Sequence, residues 1–209
     1  MPTEEPQVFL HYKGQDDTFS VPFPPFYLRD DAAFYDFCQD NGRDSLRFER
    51  DSDGRVRLMP PSGTETGRIQ ALILMRLAQW NEAQEQPGYV FDASAGFRLP
   101  NGAIRAPDIS YVRTERYDAL SEHEREHYAP LAPDFVIEVM SPSDRLRDLQ
   151  GKMEEYAAHG VSLGWLIDRR NRTVYIYHAG QEPLREVEPS SLSAEPELPN
   201  FELSLDRVF

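Results

Sequence analysis

Two carboxylates that are thirty residues apart lie at apolar runs of the sequence. One precedes such a run, and the other interrupts one. Asp108 follows Pro107 and precedes the strand-forming residues 109–112, and Glu138 interrupts the apolar run 135–140. An ionised carboxylate in such a run is costly unless it is paired or bound to a cation. Mg²⁺ is a suitable cation, because it takes hard oxygen ligands from one or two carboxylates, waters and phosphates. The pair therefore indicates magnesium-dependent phosphodiester chemistry at the ends of two neighbouring strands.

Each carboxylate also has a structural interpretation that involves no metal. Asp108 could cap a turn, and Glu138 could pair with an arginine such as Arg105 or Arg145. For either residue alone the structural interpretation is the stronger one. The two carboxylates together favour the metal site.

A lysine completes the candidate site from the next predicted helix. Lys152 and Tyr156 are four residues apart, so they lie on one side of the helix predicted from about Asp144 to His159. That helix follows the strand of Glu138 and packs back across the sheet, which lets Lys152 point towards the strand ends.

The elements that must position these residues follow from hydrophobic periodicity and turn signals. Helices are predicted over 33–39, 62–85 and about 144–159, with helix and loop over 114–129. Strands are predicted near 46–50, 55–59, 89–91, 96–99, 108–112, 135–140, 164–167 and 173–177. The turn Asp51–Gly54 indicates a hairpin. This order predicts an α/β or α+β fold in which a mixed central sheet is flanked by helices.

The 209 residues suffice for one domain with a substantial core. Residues 30–209 are predicted to form that single domain. Residues 1–29 are rich in proline and aromatic residues with little periodicity, and we expect an extended N-terminal arm. The long helix over 62–85 is apolar on most sides, so it is predicted to be largely buried.

Four segments form a pattern that is specific in combination. They are Pro107-Asp108, Ile137 to Asp144, Lys152 to Tyr156 and Gly164 to Asp168. This pattern resembles the Uma2 family of restriction endonuclease-like proteins, which belongs to the PD-(D/E)XK nuclease superfamily. The resemblance extends from about Met59 to Leu205.

The resemblance implies a restriction-endonuclease-like fold with Asp108 and Glu138 as ligands of Mg²⁺, with Mn²⁺ as a substitute. Superfamily members usually carry a lysine two residues after the second acid, where this chain has Met140. The resemblance assigns that lysine to Lys152 on the following helix. The implied activity is endonucleolytic hydrolysis of DNA, in which Lys152 positions or deprotonates the attacking water. A second hypothesis is a catalytically inactive member that serves as a binding or assembly module.

Glu65 has two competing interpretations. The resemblance implies a further acidic residue in the metal shell, and Glu65 at the start of the long helix matches it. Alternatively, Ser62 and Glu65 form a capping box, in which the Glu65 side chain only accepts a hydrogen bond from the Ser62 amide.

Other side chains are candidates for contacts with the substrate. Gln150 and Tyr156 are second-rank candidates, and core packing is the stronger interpretation of Tyr156. Arginines near the site could contact phosphates, although exposed arginines often only solubilise a surface. They are Arg113, Arg116, Arg145 and Arg147.

A rival motif, His123-Glu124-Arg125-Glu126-His127, matches the H-E-x-x-H signature of zinc peptidases. Such a helix normally has one buried apolar side, whereas residues 121–126 are polar throughout. Pro130 and Pro133 soon end any helix. We therefore interpret this segment as a solvated turn and keep the zinc peptidase as a remote alternative.

The net charge of −14 argues against a nucleic-acid partner, since phosphate binding usually requires a basic surface. The acidity lies mainly in the flanks, because residues 67–178 hold 16 acids against 13 bases, a net charge of −3. DNA therefore stays an admissible partner. The absence of a membrane span or secretory signal predicts a cytoplasmic protein, and cutting of duplex DNA would suit a two-fold homodimer.

Overall fold

The computed structural model describes residues 7–11, 18–22, 30–41, 47–59 and 61–209. Its helices are α1 Asp31–Asn41, α2 Thr64–Glu82, α3 Thr114–Asp118, α4 Glu122–Glu126 and α5 Leu146–Ala158. The first eight strands are β1 Gln7–His11, β2 Thr18–Pro22, β3 Arg47–Arg50, β4 Val56–Met59, β5 Tyr89–Asp92, β6 Phe97–Arg98, β7 Ile104–Arg105 and β8 Ile109–Val112. The remaining strands are β9 Phe135–Val139, β10 Leu163–Asp168, β11 Thr173–His178, β12 Leu184–Val187, β13 Ser191–Ser193 and β14 Glu202–Ser204.

The central sheet has six strands in the order β12-β11-β10-β9-β8-β5. Strands β9 and β10 pair in parallel, and the other neighbours pair antiparallel. The predicted mixed central sheet is therefore confirmed. Its middle strands β9 and β10 are buried along their whole length, as expected of strands covered on both faces.

The two long helices cover opposite faces of this sheet. Phe135, Ile137 and Val139 of β9 pack in one hydrophobic cluster with Ile69, Ile73 and Leu77 of α2. Val136 packs in another cluster with Met153 and Tyr156 of α5. Because side chains alternate along a strand, Glu138 lies on the same face as Val136, towards α5.

A second sheet has four strands, in the order β4-β3-β7-β6. The predicted hairpin is present, with Arg50 opposite Val56 and the amide of Asp51 bonded to the carbonyl of Arg55 at 2.7 Å. Gly54 has φ +91°, a left-handed conformation that glycine adopts without strain. This hairpin directs Glu49 towards the central sheet.

Helix α2 is buried less completely than its sequence predicts. A single stripe is buried, while Met75 on another side is 48% exposed. The buried stripe consists of Thr66, Ile69, Ile73, Leu77 and Asn81. The prediction of a helix buried on most sides was therefore wrong, because only one side of α2 faces the sheet.

Several short elements were not predicted from periodicity. Strand β7 and the C-terminal strands β12 to β14 have two to four residues each, too few to show a clear alternation. Strands β1 and β2 pair antiparallel within residues 1–29. The other residues of that predicted arm lie outside the described residues. Within the part of the chain that the structure describes, no helix is long and apolar enough to cross a membrane.

Candidate active site

Asp108 and Glu138 are brought together by the pairing of β8 with β9. Ile109 pairs with Ile137 in antiparallel register, so one further step along both strands sets Asp108 beside Glu138. The amide of Val139 donates to Oδ2 of Asp108 at 2.8 Å. The two predicted carboxylates therefore lie at the same end of neighbouring strands.

Lys152 approaches Glu138 from α5, as the helix position predicts. Its Nζ lies 2.7 Å from Oε1 of Glu138, and the hydroxyl of Tyr156 donates to the same oxygen at 3.2 Å. Both contacts are possible because residues four apart share one side of a helix. The partner of Glu138 is thus a lysine, and the interpretation that paired it with Arg105 was wrong.

Met140 lies two residues after Glu138, where the resemblance described above led us to compare it with a lysine. Its amide donates to the carbonyl of Ile167 at 3.0 Å, and its side chain packs against the cluster beneath α5. An apolar side chain at this position extends the core, while the cationic group comes from Lys152.

A third acid, Glu49, joins the site from the second sheet and was missed by the sequence analysis. Its Oε1 lies 2.8 Å from Nζ of Lys152 and accepts from the amide of Ala106 at 3.0 Å. Glu49 is 2% exposed. The available signal was a charged residue within the predicted strand 46–50, but nothing local shows which charged residue of that strand points inwards.

Arg105 forms a buried ion-pair network beside these acids. It contacts Asp51 at 2.8 Å, Glu155 at 2.6 Å and Glu49 at 3.6 Å. Asp51 is also bonded to Arg57 at 2.8 Å. Since β3, β7 and α5 each supply a member, the network ties the second sheet to the helix that carries Lys152.

Burial and neighbouring charges shift the pKa values of Glu138, Asp108 and Lys152. Burial raises the pKa of Glu138 to about 8, against the attraction of Lys152 and with the help of repulsion from Asp108 and Glu49. Burial also raises the pKa of Asp108, opposed by the bond from the Val139 amide. Burial disfavours the charged form of Lys152, but its carboxylate neighbours outweigh this and raise its pKa. One ammonium group therefore serves several carboxyls, and the site carries an excess of acidic groups.

The donor set fits a hard divalent cation. Within the described ranges, no group of three or more His, Cys, Asp or Glu side chains is arranged to hold a metal ion. Two carboxylates nevertheless suffice for Mg²⁺, which completes its octahedron with waters and phosphate oxygens. The contacts of Glu138 with Lys152 and Tyr156 both fall on Oε1, so Oε2 and the Asp108 carboxyl are the ligand candidates.

These groups lie in a cleft of about 1080 Å³. Asp108, Glu138 and Lys152 line it, together with the predicted phosphate contacts Arg145 and Arg147. Glu49, Gln70 and Arg47 also line it. The cleft therefore gathers most of the predicted site residues around one accessible space.

Five candidates lie outside the cleft lining among the described residues. Two of them, Arg113 and Arg116, pair with Asp134 at 3.6 and 2.9 Å. Glu65 is exposed and pairs with Arg68 at 2.6 Å. Gln150 is half-buried on α5. Tyr156 is 1% exposed, so it acts on the site only through its bond to Glu138.

The capping-box interpretation of Glu65 was also wrong. The N-cap of α2 is Gly63, and no side-chain capping hydrogen bond is made there. The helix begins one residue later than a Ser62 cap requires. The Glu65 carboxylate accepts hydrogen bonds from Arg68 on the outer surface of the helix.

The H-E-x-x-H segment lies elsewhere and has a structural role. Helix α4 is a single short helix of five residues, and His127 ends it. The Glu124 carboxylate accepts from both the amide and the hydroxyl of Ser121 in a capping box, so it is not directed at the histidines. The rings of His123 and His127 lie 4.1 Å apart between centroids, with their planes tilted by 38°.

The fold is of the α+β class, with a cleft at the ends of β8 and β9. Its structure is similar to the crystal structure of a putative nuclease belonging to DUF820 from Anabaena variabilis, with a TM-score of 0.69 and 22% sequence identity. The similarity covers 84% of this chain and 96% of that chain.

The family follows from the sequence. The family described as Uma2, putative restriction endonuclease, matches residues 31–206. This chain therefore belongs to the Uma2 family of putative restriction endonucleases, and the resemblance seen in its motifs is confirmed. A search of the curated proteins found no match.

Proposed function

We propose that this protein is a magnesium-dependent endonuclease that hydrolyses phosphodiester bonds of DNA. The observation that carries the proposal is the approach of Asp108 and Glu138 across β8 and β9, with Lys152 at 2.7 Å from Glu138, inside an open cleft. Membership of the family supports a nuclease. The two carboxylates support the metal dependence, because they are hard ligands at a site with excess acidity.

Each residue has a distinct role in the proposed reaction. Asp108 and Glu138 would hold Mg²⁺, or Mn²⁺ in its place. The bound ion would activate a water and neutralise charge on the transferring phosphoryl group. Lys152 is a cation held between Glu138 and Glu49, so we assign it to orienting the water and stabilising the phosphate rather than to removing a proton.

The charge of the cleft explains how an acidic protein could accept DNA. Its lining includes eight acids and six bases, a net charge of 6 − 8 = −2. One divalent ion would cancel that charge. Arg145 and Arg147 lie at the start of α5 with exposed side chains, where they could contact phosphates on either side of the scissile bond.

The decisive experiment is cleavage of plasmid and oligonucleotide DNA in Mg²⁺ or Mn²⁺. We expect Asp108→Asn and Glu138→Gln each to lower the rate about 100-fold or more, since each removes a charged group from the reacting centre. Glu154→Gln on the exposed side of α5 is the matched control and should keep the wild-type rate. Cleavage that survives both substitutions would refute the site assignment.

One observation favours a second function. Lys152 contacts both Glu138 and Glu49, so the fold can hold these two buried acids together without a metal ion. A catalytically inactive binding or assembly module could keep this arrangement. Absence of both DNA cleavage and Mg²⁺ or Mn²⁺ binding, measured by calorimetry on the purified chain, would favour that module.

A further inference from the structure

A second cavity of about 610 Å³ lies on the other side of β3 from the acidic cluster, the name we give to Glu49, Asp108 and Glu138. Ring-bearing side chains from α1, β3, β5 and the α3 to α4 region line it. They include Tyr35, Phe48, Phe91, Tyr117, His127 and Tyr128. We call this cavity the aromatic pocket.

The rings form two walls. On one wall Tyr35 lies 4.5 Å from His127 and 5.4 Å from Tyr128, measured between ring centroids. On the other, Phe91 lies 5.2 Å from Tyr117. The guanidinium of Arg125 lies 5.8 Å from the Tyr117 ring, which adds positive charge to the second wall.

Arg47 connects the aromatic pocket with the catalytic cleft, because it lines both cavities. Its Nη1 donates to the carbonyl of Ala93 at 3.0 Å, which anchors the guanidinium at the pocket. Its charge also acts on Asp108, whose pKa it lowers against the larger effect of burial. A ligand that spans the two cavities would therefore lie beside the Arg47 guanidinium, between the aromatic pocket and the candidate metal ligands.

The chemistry of such a ligand is specific. A flat aromatic group stacks on rings, and an anionic group attached to it meets a cation and a metal site. A nucleotide within a strand has both parts, since its base is flat and its phosphate is charged. Enzymes that act on nucleic acids commonly accept unstacked bases in pockets of this kind.

We propose that the aromatic pocket binds a nucleobase that has left the base stack beside the phosphate held in the cleft. This inference rests on the proposed function, since it takes the cleft to be the place of the scissile phosphate. It identifies the preferred substrate as DNA with an unpaired base near the cut, such as a single strand, a flap or a mismatch. In a perfect duplex the same base must first be unstacked, which costs free energy.

The test uses oligonucleotides that carry 2-aminopurine, a fluorescent base sensitive to stacking, on the Asp108→Asn background. Single-stranded DNA should bind more tightly than the matched duplex. Tyr35→Ala and His127→Ala should each weaken single-strand binding about 5- to 150-fold, the range known for loss of base stacking. Both should also reduce the fluorescence change of 2-aminopurine.

Two further variants keep the test valid if ring removal disturbs folding. Tyr35→Phe retains the ring and should bind like the parent protein. Ser94→Trp adds bulk at an exposed position in the pocket lining and should weaken binding without removing any core group. Phe209→Ala, a ring outside both cavity linings, is the matched control and should have no effect.

The outcomes separate the two proposals. DNA cleavage by the wild-type chain, with single-strand binding unchanged in Tyr35→Ala, His127→Ala and Ser94→Trp, would overturn the aromatic pocket and leave the nuclease intact. Ring-dependent single-strand binding without any cleavage would support the pocket and overturn the proposed catalysis. Equal affinity for single strand and duplex would overturn the substrate preference.

Discussion

Lys152 is the residue on which the acidic cluster depends most. It is the partner of both Glu138 and Glu49, at 2.7 and 2.8 Å, and all three side chains are largely buried. Removing one partner of a buried ion pair leaves an uncompensated charge, which usually costs about 3–5 kcal/mol. Lys152→Met should therefore lower the free energy of unfolding by about that amount, measured by urea denaturation in chelator at neutral pH.

A double variant distinguishes this cause from simple misfit of the methionine. Lys152→Met leaves the carboxyls of Glu138 and Glu49 without their partner, and Glu138→Gln removes one of these carboxyls. The double variant Lys152→Met/Glu138→Gln should therefore recover part of the lost stability. Strict additivity of the two single substitutions would contradict the coupling that the distances indicate.

Glu138 should give the protein an unusual dependence of stability on pH. Burial raises its pKa from 4.5 to about 8 in the folded protein. Between these values the native state binds more protons than the unfolded state, so the free energy of unfolding should fall as the pH rises from about 4.5 to about 8. Below this interval the carboxyl is neutral in both states, and above it the full cost of its charge is present.

Urea denaturation in chelator across that interval measures the effect, with Glu138→Gln as the comparison. The glutamine does not titrate, so the variant should lack this part of the slope. Identical slopes in the two proteins would show that Glu138 is not the group responsible.

Glu49 and Glu65 provide a contrast between two acids of the same type. Glu49 is buried against Lys152, whereas Glu65 is exposed and pairs with Arg68. Removing a residue that orients ligands or their partners typically costs about 10- to 100-fold in metal affinity or activity. Glu49→Gln should show that loss in Mn²⁺ affinity and DNA cleavage, while Glu65→Gln should leave both unchanged. A large effect of Glu65→Gln would restore it as a metal ligand.

At the scale of elements, the part of the site that could be predicted lies on two neighbouring strands and the helix that follows the second one. Asp108 directly precedes β8, Glu138 lies in β9 and Lys152 lies in α5, and the order and burial of these elements follow from apolar runs and helical periodicity. The antiparallel register then brings the two acids together. Local pattern is sufficient where the site is built from neighbouring strands and the next helix along the chain.

The remaining part depends on tertiary packing that no local pattern contains. Glu49 reaches the site only because the hairpin of β3 and β4 joins a separate sheet that folds against α5. The capping box failed for a related reason, since a matching spacing at Ser62 and Glu65 does not decide where α2 begins. The aromatic pocket likewise combines side chains from distant segments. The local sequence around each of these side chains predicts only a core position.

At the scale of the whole molecule, the cleft differs from the rest of the surface in where its charged groups lie, and it is not less acidic. The chain carries a net charge of −14 over 209 residues and the cleft lining a formal −2 over 26, and the lining places the exposed Arg145 and Arg147 beside the acids that would hold a divalent ion. We therefore expect DNA to bind along the cleft when a divalent ion is present. A homodimer that cuts both strands stays a prediction from the symmetry of duplex DNA.

Salt dependence tests this distribution of charge. Each phosphate neutralised by a cationic side chain contributes about −0.9 to the slope of log K against log salt concentration. Arg145→Ala/Arg147→Ala should therefore weaken binding of DNA regardless of its sequence and reduce the steepness of that slope by about 2. Fluorescence anisotropy on the Asp108→Asn background, at constant Mg²⁺ and increasing KCl, gives both quantities.

Arg170→Ala/Arg185→Ala removes the same charge from exposed positions outside the cleft and should leave the slope unchanged, because residues there do not meet the bound strand. Equal effects of the two double variants would mean that DNA responds to total charge, and that the cleft does not define its path.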